Sequence, residues 1–308
     1  MSSAVPLMLA ILALGQGKPV DQFPPLKGKT LVAVGSVWHN EAEAYTKATG
    51  HRPHGHKIWV GLNNAADVSF FGQMADRLPK DDPYRFLAIS VSFTPNFPKE
   101  GSPGFPDHRA DLYSNGSRDE FIRLLGEAIK KFGKTVFVDL GNEHDLMYRD
   151  QREQWMKTCK YIHDKWKEQN VINAVYVWHL AMSTDTPELW YPGDSYVDVV
   201  GFSFYWYEGQ IERANQLVGF ARLHKKPLAI YEFGYNPKVN TKCNWSNYFQ
   251  PTLELIQKYD VRLFVYNNTE DVLGDFKNSR MDLLPPEYQQ AWGNAMRGKR
   301  YHLPERSK

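Results

Sequence analysis

The chain has 308 residues, with 37 Lys and Arg against 35 Asp and Glu, a formal net charge of +2. That near-balance, with no basic stripe, argues against a nucleic-acid or other polyanion partner. Aromatic residues make up 14% of the chain and include nine Trp, whose flat faces stack well on the apolar C–H sides of sugar rings.

In chain order, residues 4–14 form an apolar run with the length of a secretory h-region, with the small residues Ala13 and Gly15 at its end. It is shorter than the roughly 20 residues a membrane-spanning helix needs. Residues 1–15 are therefore expected to be a signal peptide, although no Lys or Arg precedes the apolar run, and residues 16–29 a linker. The protein is expected to be secreted or periplasmic and free of the membrane once the signal is removed.

Eight runs rich in Val, Ile, Phe and Tyr then read as strands, at residues 30–38, 56–63, 85–93, 135–140, 173–180, 197–205, 227–233 and 261–267. Segments of helical period lie at 40–49, 67–76, 117–132, 150–169, 210–224, 248–259 and 286–297. Ser117 and Glu120 have capping-box spacing and Gly133 offers a stop. Trp155, Cys159, Ile162 and Trp166 share one apolar helical stripe. After the fifth strand there is room only for a turn. This alternation predicts a single (β/α)8 TIM barrel over residues 30–300, with a tail at 301–308. A doubly wound open sheet lacks support, because no G-x-G-x-x-G follows the first strand and no phosphate loop occurs.

Two strand ends carry the chemistry. Val136-Phe-Val-Asp-Leu-Gly-Asn-Glu-His-Asp145 ends the fourth strand, and Pro227-Leu-Ala-Ile-Tyr-Glu-Phe-Gly234 contains the seventh. A carboxylate beside an apolar run is costly to bury unless it has partners or a role. Either Glu143 or Glu232 alone could be a loop cap or an Arg partner. Together, on strands that lie nearly opposite in a barrel whose strand C-termini open on one face, they point to the acid/base and nucleophile of glycosidic cleavage. Trp178 and Trp206, at the site end of strands five and six, are the first candidates for stacking platforms, followed by Tyr207, Trp190 and Trp38. His144 and Asp145 either line the sugar site or hold the loop, and His179 is open in the same way. No G-x-S-x-G elbow supports Ser-His-Asp hydrolysis.

At these residues the chain resembles clan A of the glycoside hydrolases, and within it family 26, which includes endo-β-mannanases, β-glucanases and β-xylanases. The resemblance rests on Glu143 followed by a loop, Val177-Trp178, Tyr191-Pro-Gly-Asp194, Tyr196-Val-Asp198, Val200-Gly201 with Tyr205, and Glu232-Phe233-Gly234. The segment Tyr45-Thr-Lys-Ala-Thr-Gly50 also resembles the family's first unit. The similarity spans about residues 30 to 270 and is dense only between Gly141 and Tyr235. The resemblance implies that Glu143 is the acid/base, Glu232 the nucleophile and Tyr205 the hydrogen-bond donor that orients it. Three positions depart from the family. Asn142 stands where His is usual, and its amide could donate to a sugar 2-hydroxyl. Ser203 replaces an Asp, and strand eight offers Tyr266-Asn267 where an aromatic platform, often Trp, is common.

The expected protein is thus a monomeric, endo-acting, retaining hydrolase of a β-linked glycan of the mannan, glucan or xylan class, needing no metal or organic cofactor. A carbohydrate-binding barrel without catalysis, or a transglycosylase using the same glutamates, are the other readings. Cys159 and Cys243 fall on opposite sides of such a barrel and should not be bridged; Cys159 reads as a small buried hydrophobe. His51, His54 and His56 read as solvated loop histidines rather than a metal site. Asn-x-Ser/Thr sequons occur at Asn115, Asn244 and Asn267.

Overall fold

Parallel pairing runs without interruption around eight strands in chain order and closes on itself. The computed structural model describes residues 27–35, 39–78, 85–94, 109–205, 210–235, 242, 244–269 and 279–302. The expected signal peptide, Trp38, Trp206, Tyr207, Cys243 and the C-terminal residues 303–308 lie outside the described residues.

The strands are β1 (Leu31–Gly35), β2 (Gly55–Gly61), β3 (Phe86–Ser92), β4 (Val136–Leu140), β5 (Ala174–Leu180), β6 (Val199–Phe204), β7 (Leu228–Phe233) and β8 (Leu263–Asn267). The α-helices are α1 (His39–Thr49), α2 (Ala65–Arg77), α3 (Asp119–Phe132), the single turn α4 (His144–Met147), α5 (Arg152–Glu168), α6 (Gln210–Leu223), α7 (Gln250–Lys258) and α8 (Pro286–Met296). The β5–β6 connection has only two 3-10 turns, Pro187–Trp190 and Asp194–Tyr196. This is the (β/α)8 TIM barrel that the alternation predicts.

Two apolar layers hold it together, as in barrels whose strands are buried on both faces. Alternate strand residues such as Ala33, Ala88, Val177, Val199 and Val265 fill the interior, with Phe86 and Phe137 packed edge to face at 5.1 Å. Their neighbours point outward and meet the helices. There α5 contributes the expected stripe of Trp155, Cys159, Ile162 and Trp166. The indole N–H of Trp166 donates to the Ile122 carbonyl at 2.8 Å, so its polar edge is satisfied where the ring is buried. Truncating such a side chain to Ala costs about 3–5 kcal/mol.

Local expectations fail at two points. Ser117 does not cap α3; its hydroxyl donates to the Leu112 carbonyl at 2.8 Å, while Glu120 pairs with Arg123. The helix does stop at Gly133, in the left-handed conformation at φ 66°. The histidines before and on β2 are not solvated. His51 and His56 are buried, and His54 Nδ1 accepts from the Val32 amide at 3.1 Å. Burial pushes the His51 imidazole down to about 3, assisted by His54 and Arg297. The β1–β2 connection packs against the barrel, which the polar composition of that loop does not reveal.

Among the described residues no helix is long and apolar enough to cross a membrane. No group of three or more His, Cys, Asp or Glu among them could hold a metal ion. Cys159 is buried as a free thiol, with Sγ 3.6 Å from the Leu140 carbonyl.

Candidate active site

Strict alternation along β7 would turn Glu232 outward, because Ala229 and Tyr231 face the interior. A bulge prevents this. Phe202 pairs with Ile230, but Ser203 pairs with Glu232. On the other edge, Ile230 and Phe233 stand opposite Phe264 and Tyr266, three residues along against two. The extra residue lets Tyr231 and Glu232 both face inward, the re-aiming that bulges provide at barrel rims and active sites.

Glu232 is 5% exposed and closely held. The Lys57 ammonium, fully buried on β2, forms an ion pair with Oε1. The Tyr205 hydroxyl donates to Oε2 at 2.9 Å. Asn267 Nδ2, at the end of β8, lies 3.2 Å from the same oxygen and 2.6 Å from the Tyr205 hydroxyl. Gly35 makes room for that amide, since a Cβ there would come within 2.4 Å of Asn267 Oδ1. Burial alone would raise the Glu232 carboxyl. The charges of Lys57 and His179 and the hydrogen bonds from Lys57 and Tyr205 outweigh it and hold the group below its ordinary value. Lys57 itself lies 4.7 Å from the Tyr231 ring centroid and 4.8 Å from that of Trp59, cation–π contacts that help compensate a buried charge.

Glu143 is reached differently, through a turn in which Gly141, Asn142 and Glu143 all have positive φ, at 105°, 42° and 46°. Only glycine fits position 141, where a Cβ would meet Trp155 Nε1 at 2.4 Å; that indole donates to the Leu140 carbonyl at 2.8 Å. Left-handed geometry at a glutamate costs on the order of 1–3 kcal/mol and persists only where surroundings enforce it. The enforcement comes from below. Asp145 accepts from the amides of Ala181 and Ser183 at 2.6 and 2.7 Å, tying α4 to the end of β5.

No cation among the described residues pairs with Glu143. Burial, then the charge of Glu232, pushes its carboxyl up to about 7, against the opposing pull of His179 and of a hydrogen bond from Ser203. One carboxyl of the pair therefore keeps its proton near neutrality while the other is held ionised. Divergent pKa values in one site mark an acid and a base or nucleophile.

The other sequence candidates divide. Tyr205 is buried and reaches Glu232. Asn142 is half-buried in the Glu143 turn. Trp178, His144 and Tyr266 are not substrate platforms. Trp178 is 2% exposed and packs outward, with its N–H on the Trp190 carbonyl at 3.0 Å. His144 is fully buried and stacks on Trp155 at 3.7 Å between centroids. Tyr266 is fully buried against Trp292 and donates to the Ser279 carbonyl at 2.9 Å. Each has an inward neighbour or a loop geometry that turns it toward the helices. Trp190 is also buried in that layer. The Asn267 sequon amide is 3% exposed inside the site, whereas Asn115 and Asn244 are exposed.

Sequence reasoning missed Lys57, Asn267 as a site group, and Trp59, a half-buried inward-facing ring beside Lys57. A lysine in the middle of an apolar strand was the available signal, because a buried ammonium needs a partner. A cleft of about 1160 Å³ opens beside the site along Asp145, Arg149, Gln151, Ser183, Thr186 and Trp190, and includes neither glutamate.

The sequence matches the model of Glycosyl hydrolase family 26 over residues 142–241, a span that contains both glutamates and Tyr205. It is 25% identical over 302 residues to the beta-1,3-xylanase TXYA of a Vibrio species, covering 85% of this chain and 62% of that protein. The barrel superposes on Bacillus subtilis mannanase man26 with a TM-score of 0.60 at 17% identity, covering 84% and 86% of the two chains. It superposes on the beta-mannanase from a symbiotic protist of the termite Reticulitermes speratus with a TM-score of 0.62 at 17% identity, covering 92% and 90%. These likenesses to solved structures establish the fold. Across the stretch that holds the glutamate pair the chain is thus similar to glycoside hydrolase family 26.

Proposed function

We propose that the protein is a retaining, endo-acting hydrolase of a β-linked polysaccharide. One observation carries this reading: two carboxyls in one barrel mouth with opposite electrostatic surroundings, Glu143 pushed up to about 7 and Glu232 held low by Lys57. Glu143 donates its proton to the leaving glycosidic oxygen as Glu232 attacks the anomeric carbon. Loss of that proton leaves Glu143 as the base for the water that releases the glycosyl-enzyme. Tyr205 and Asn267 keep Glu232 aimed, and their bonds to Oε2 leave the attack to the oxygen geometry that Lys57 and Tyr205 jointly fix.

The names of the similar proteins favour xylan and mannan as first substrates. Purified protein is incubated with β-1,3-xylan, β-1,4-mannan and β-glucan, and products are resolved by mass and, by proton NMR, by initial anomeric form. Oligosaccharide products that appear first as the β-anomer are expected from at least one polymer. Initial α-anomers would replace retention by inversion. Binding without cleavage of any polymer would favour a carbohydrate-binding barrel.

A further inference from the structure

An indole with unused surface stands beside the Lys57–Glu232 ion pair. Trp59 lies two residues beyond Lys57 on β2. Ile58 and Val60 belong to the outer apolar layer, so Lys57 and Trp59 both face the barrel interior. Strand C-termini form the mouth, which places Trp59 one inward position nearer to it than Lys57. The Lys57 ammonium is 4.8 Å from the Trp59 ring centroid and pairs with Glu232 Oε1. One cation therefore touches both the indole and the carboxylate.

Three observations set this ring apart. Trp155, Trp166, Trp178, Trp190 and Trp292 are at most 5% exposed, and Trp245 packs on Phe249 and Tyr288 in the helix layer. Trp59 is half-buried and faces the mouth instead. Its N–H has no protein acceptor among the described residues, whereas those of Trp155, Trp166, Trp178 and Trp292 donate to protein oxygens at 2.8 to 3.0 Å. On the β3 side Trp59 is in register with Ser90, and the next inward position there is Ser92. Both serines are too small to cover an indole. What remains is an apolar face with a free donor at its edge, in a mouth otherwise furnished with Lys, Glu, Tyr and Asn. The C–H face of a pyranose fits the first and a sugar hydroxyl the second.

We propose that Trp59 is the stacking platform for the glycone, the half of the β-glycan that becomes attached to Glu232. The proposal rests on Glu232 being the nucleophile. Lys57 ties platform and nucleophile together, so a sugar seated on the indole is presented to the carboxylate. The ring on β2 thus takes the place that sequence reasoning gave to Trp178 and Tyr266, both of which face the helices.

The test measures binding of β-1,4-mannotetraose and β-1,3-xylotetraose by titration calorimetry. The full chain carries Glu143→Gln so that the ligands stay intact. Trp59→Leu keeps apolar bulk without a flat face and Trp59→Phe keeps a flat face; thermal unfolding checks both. Affinity for the tetraose that binds should fall about tenfold in Trp59→Leu and only about threefold in Trp59→Phe. Unchanged affinity in Trp59→Leu, or equal losses in the two variants, would overturn the proposal. A parent that binds neither tetraose would overturn it as well. A second readout needs no folded Leu variant: the indole 15N–H signal of Trp59, assigned by its absence in Trp59→Phe, should shift when the tetraose is added. An unmoved signal would contradict the platform.

The kinetic arm separates stacking from support of Lys57. In otherwise wild-type protein Trp59→Leu should raise KM on a cleaved polymer while the acid limb of kcat/KM stays in place, because the ion pair with Glu232 remains. A displaced acid limb with unchanged affinity would make Trp59 a prop for Lys57 and overturn the proposal. The binding arm needs no turnover. Affinity that depends on Trp59 in a wild type that cleaves no glycan would sink the hydrolase reading and leave the platform standing. Cleavage with affinity indifferent to Trp59 would do the reverse.

Discussion

Glu232 projects from a strand and Glu143 from a turn, and their surroundings differ accordingly. Around Glu232, β2, the residue after β6, and β8 supply a buried ammonium, a phenol and an amide, all aimed at its two oxygens. Around Glu143 there is a backbone forced into left-handed geometry, with no cation paired to its carboxyl among the described residues. The first environment fixes a charge in place and the second keeps a proton available. Two identical side chains thereby acquire different chemistry from what their strands and loops bring to them.

The comparison breaks most visibly at the nucleophile. Glu232→Ala removes the attacking group, so hydrolysis should fall on the order of 10⁴-fold or more whatever the leaving group. Initial rates on the best polymer measure this, and a loss under tenfold would remove Glu232 from the mechanism.

Lys57→Met tests whether the ammonium creates the difference. Breaking a buried ion pair costs about 3–5 kcal/mol of stability, readable by denaturant unfolding. Glu232 loses its compensating charge, so its carboxyl rises and the acid limb of kcat/KM moves to higher pH. An acid limb that stays in place would show that Tyr205 and Asn267 hold the charge without Lys57.

The pH profile of the wild type sharpens the other half. Glu143 must be protonated to assist departure, and its pKa is raised to about 7. Activity should therefore be present below that value and decline as pH rises through it. In Glu143→Gln the remaining activity on an activated aryl glycoside should lose this limb.

Trp178→Leu carries the smallest catalytic effect. Its indole packs between the barrel and Phe220 and Tyr191, so the change should lower stability by about 1–3 kcal/mol while leaving KM within about twofold. A large rise in KM at unchanged stability would return Trp178 to the substrate surface.

Much of this was legible in residues. Strands β3 to β8 are continuous apolar runs because both faces are buried, and the glutamates stand out at the ends of two of them. The same double burial hides which face is which. Along β8, Leu263, Val265 and Asn267 face inward while Phe264 and Tyr266 face the helices, yet all but Asn267 are apolar or aromatic, so Tyr266 reads as readily as a platform. Trp178, beside inward His179, is ambiguous in the same way. Lys57 alone does not name its partner in the sequence, because Glu232 lies 175 residues away. The β7 bulge has no signature in Ile230-Tyr231-Glu232-Phe233 itself. It arises from the register demanded by β6 and β8.

The division of labour between the two glutamates is tested most directly by Glu143→Ala acting on an activated aryl β-glycoside of the sugar that the polymer screen identifies. Such a leaving group departs with little proton assistance, so the glycosyl-enzyme on Glu232 should form and then stall without a base. Added azide should release it as a β-glycosyl azide, raising turnover with azide concentration, while cleavage of the natural polymer stays lost. If Glu143→Ala cleaves natural and activated substrates as fast as the wild type and azide changes nothing, Glu143 is not the acid/base and the account is wrong.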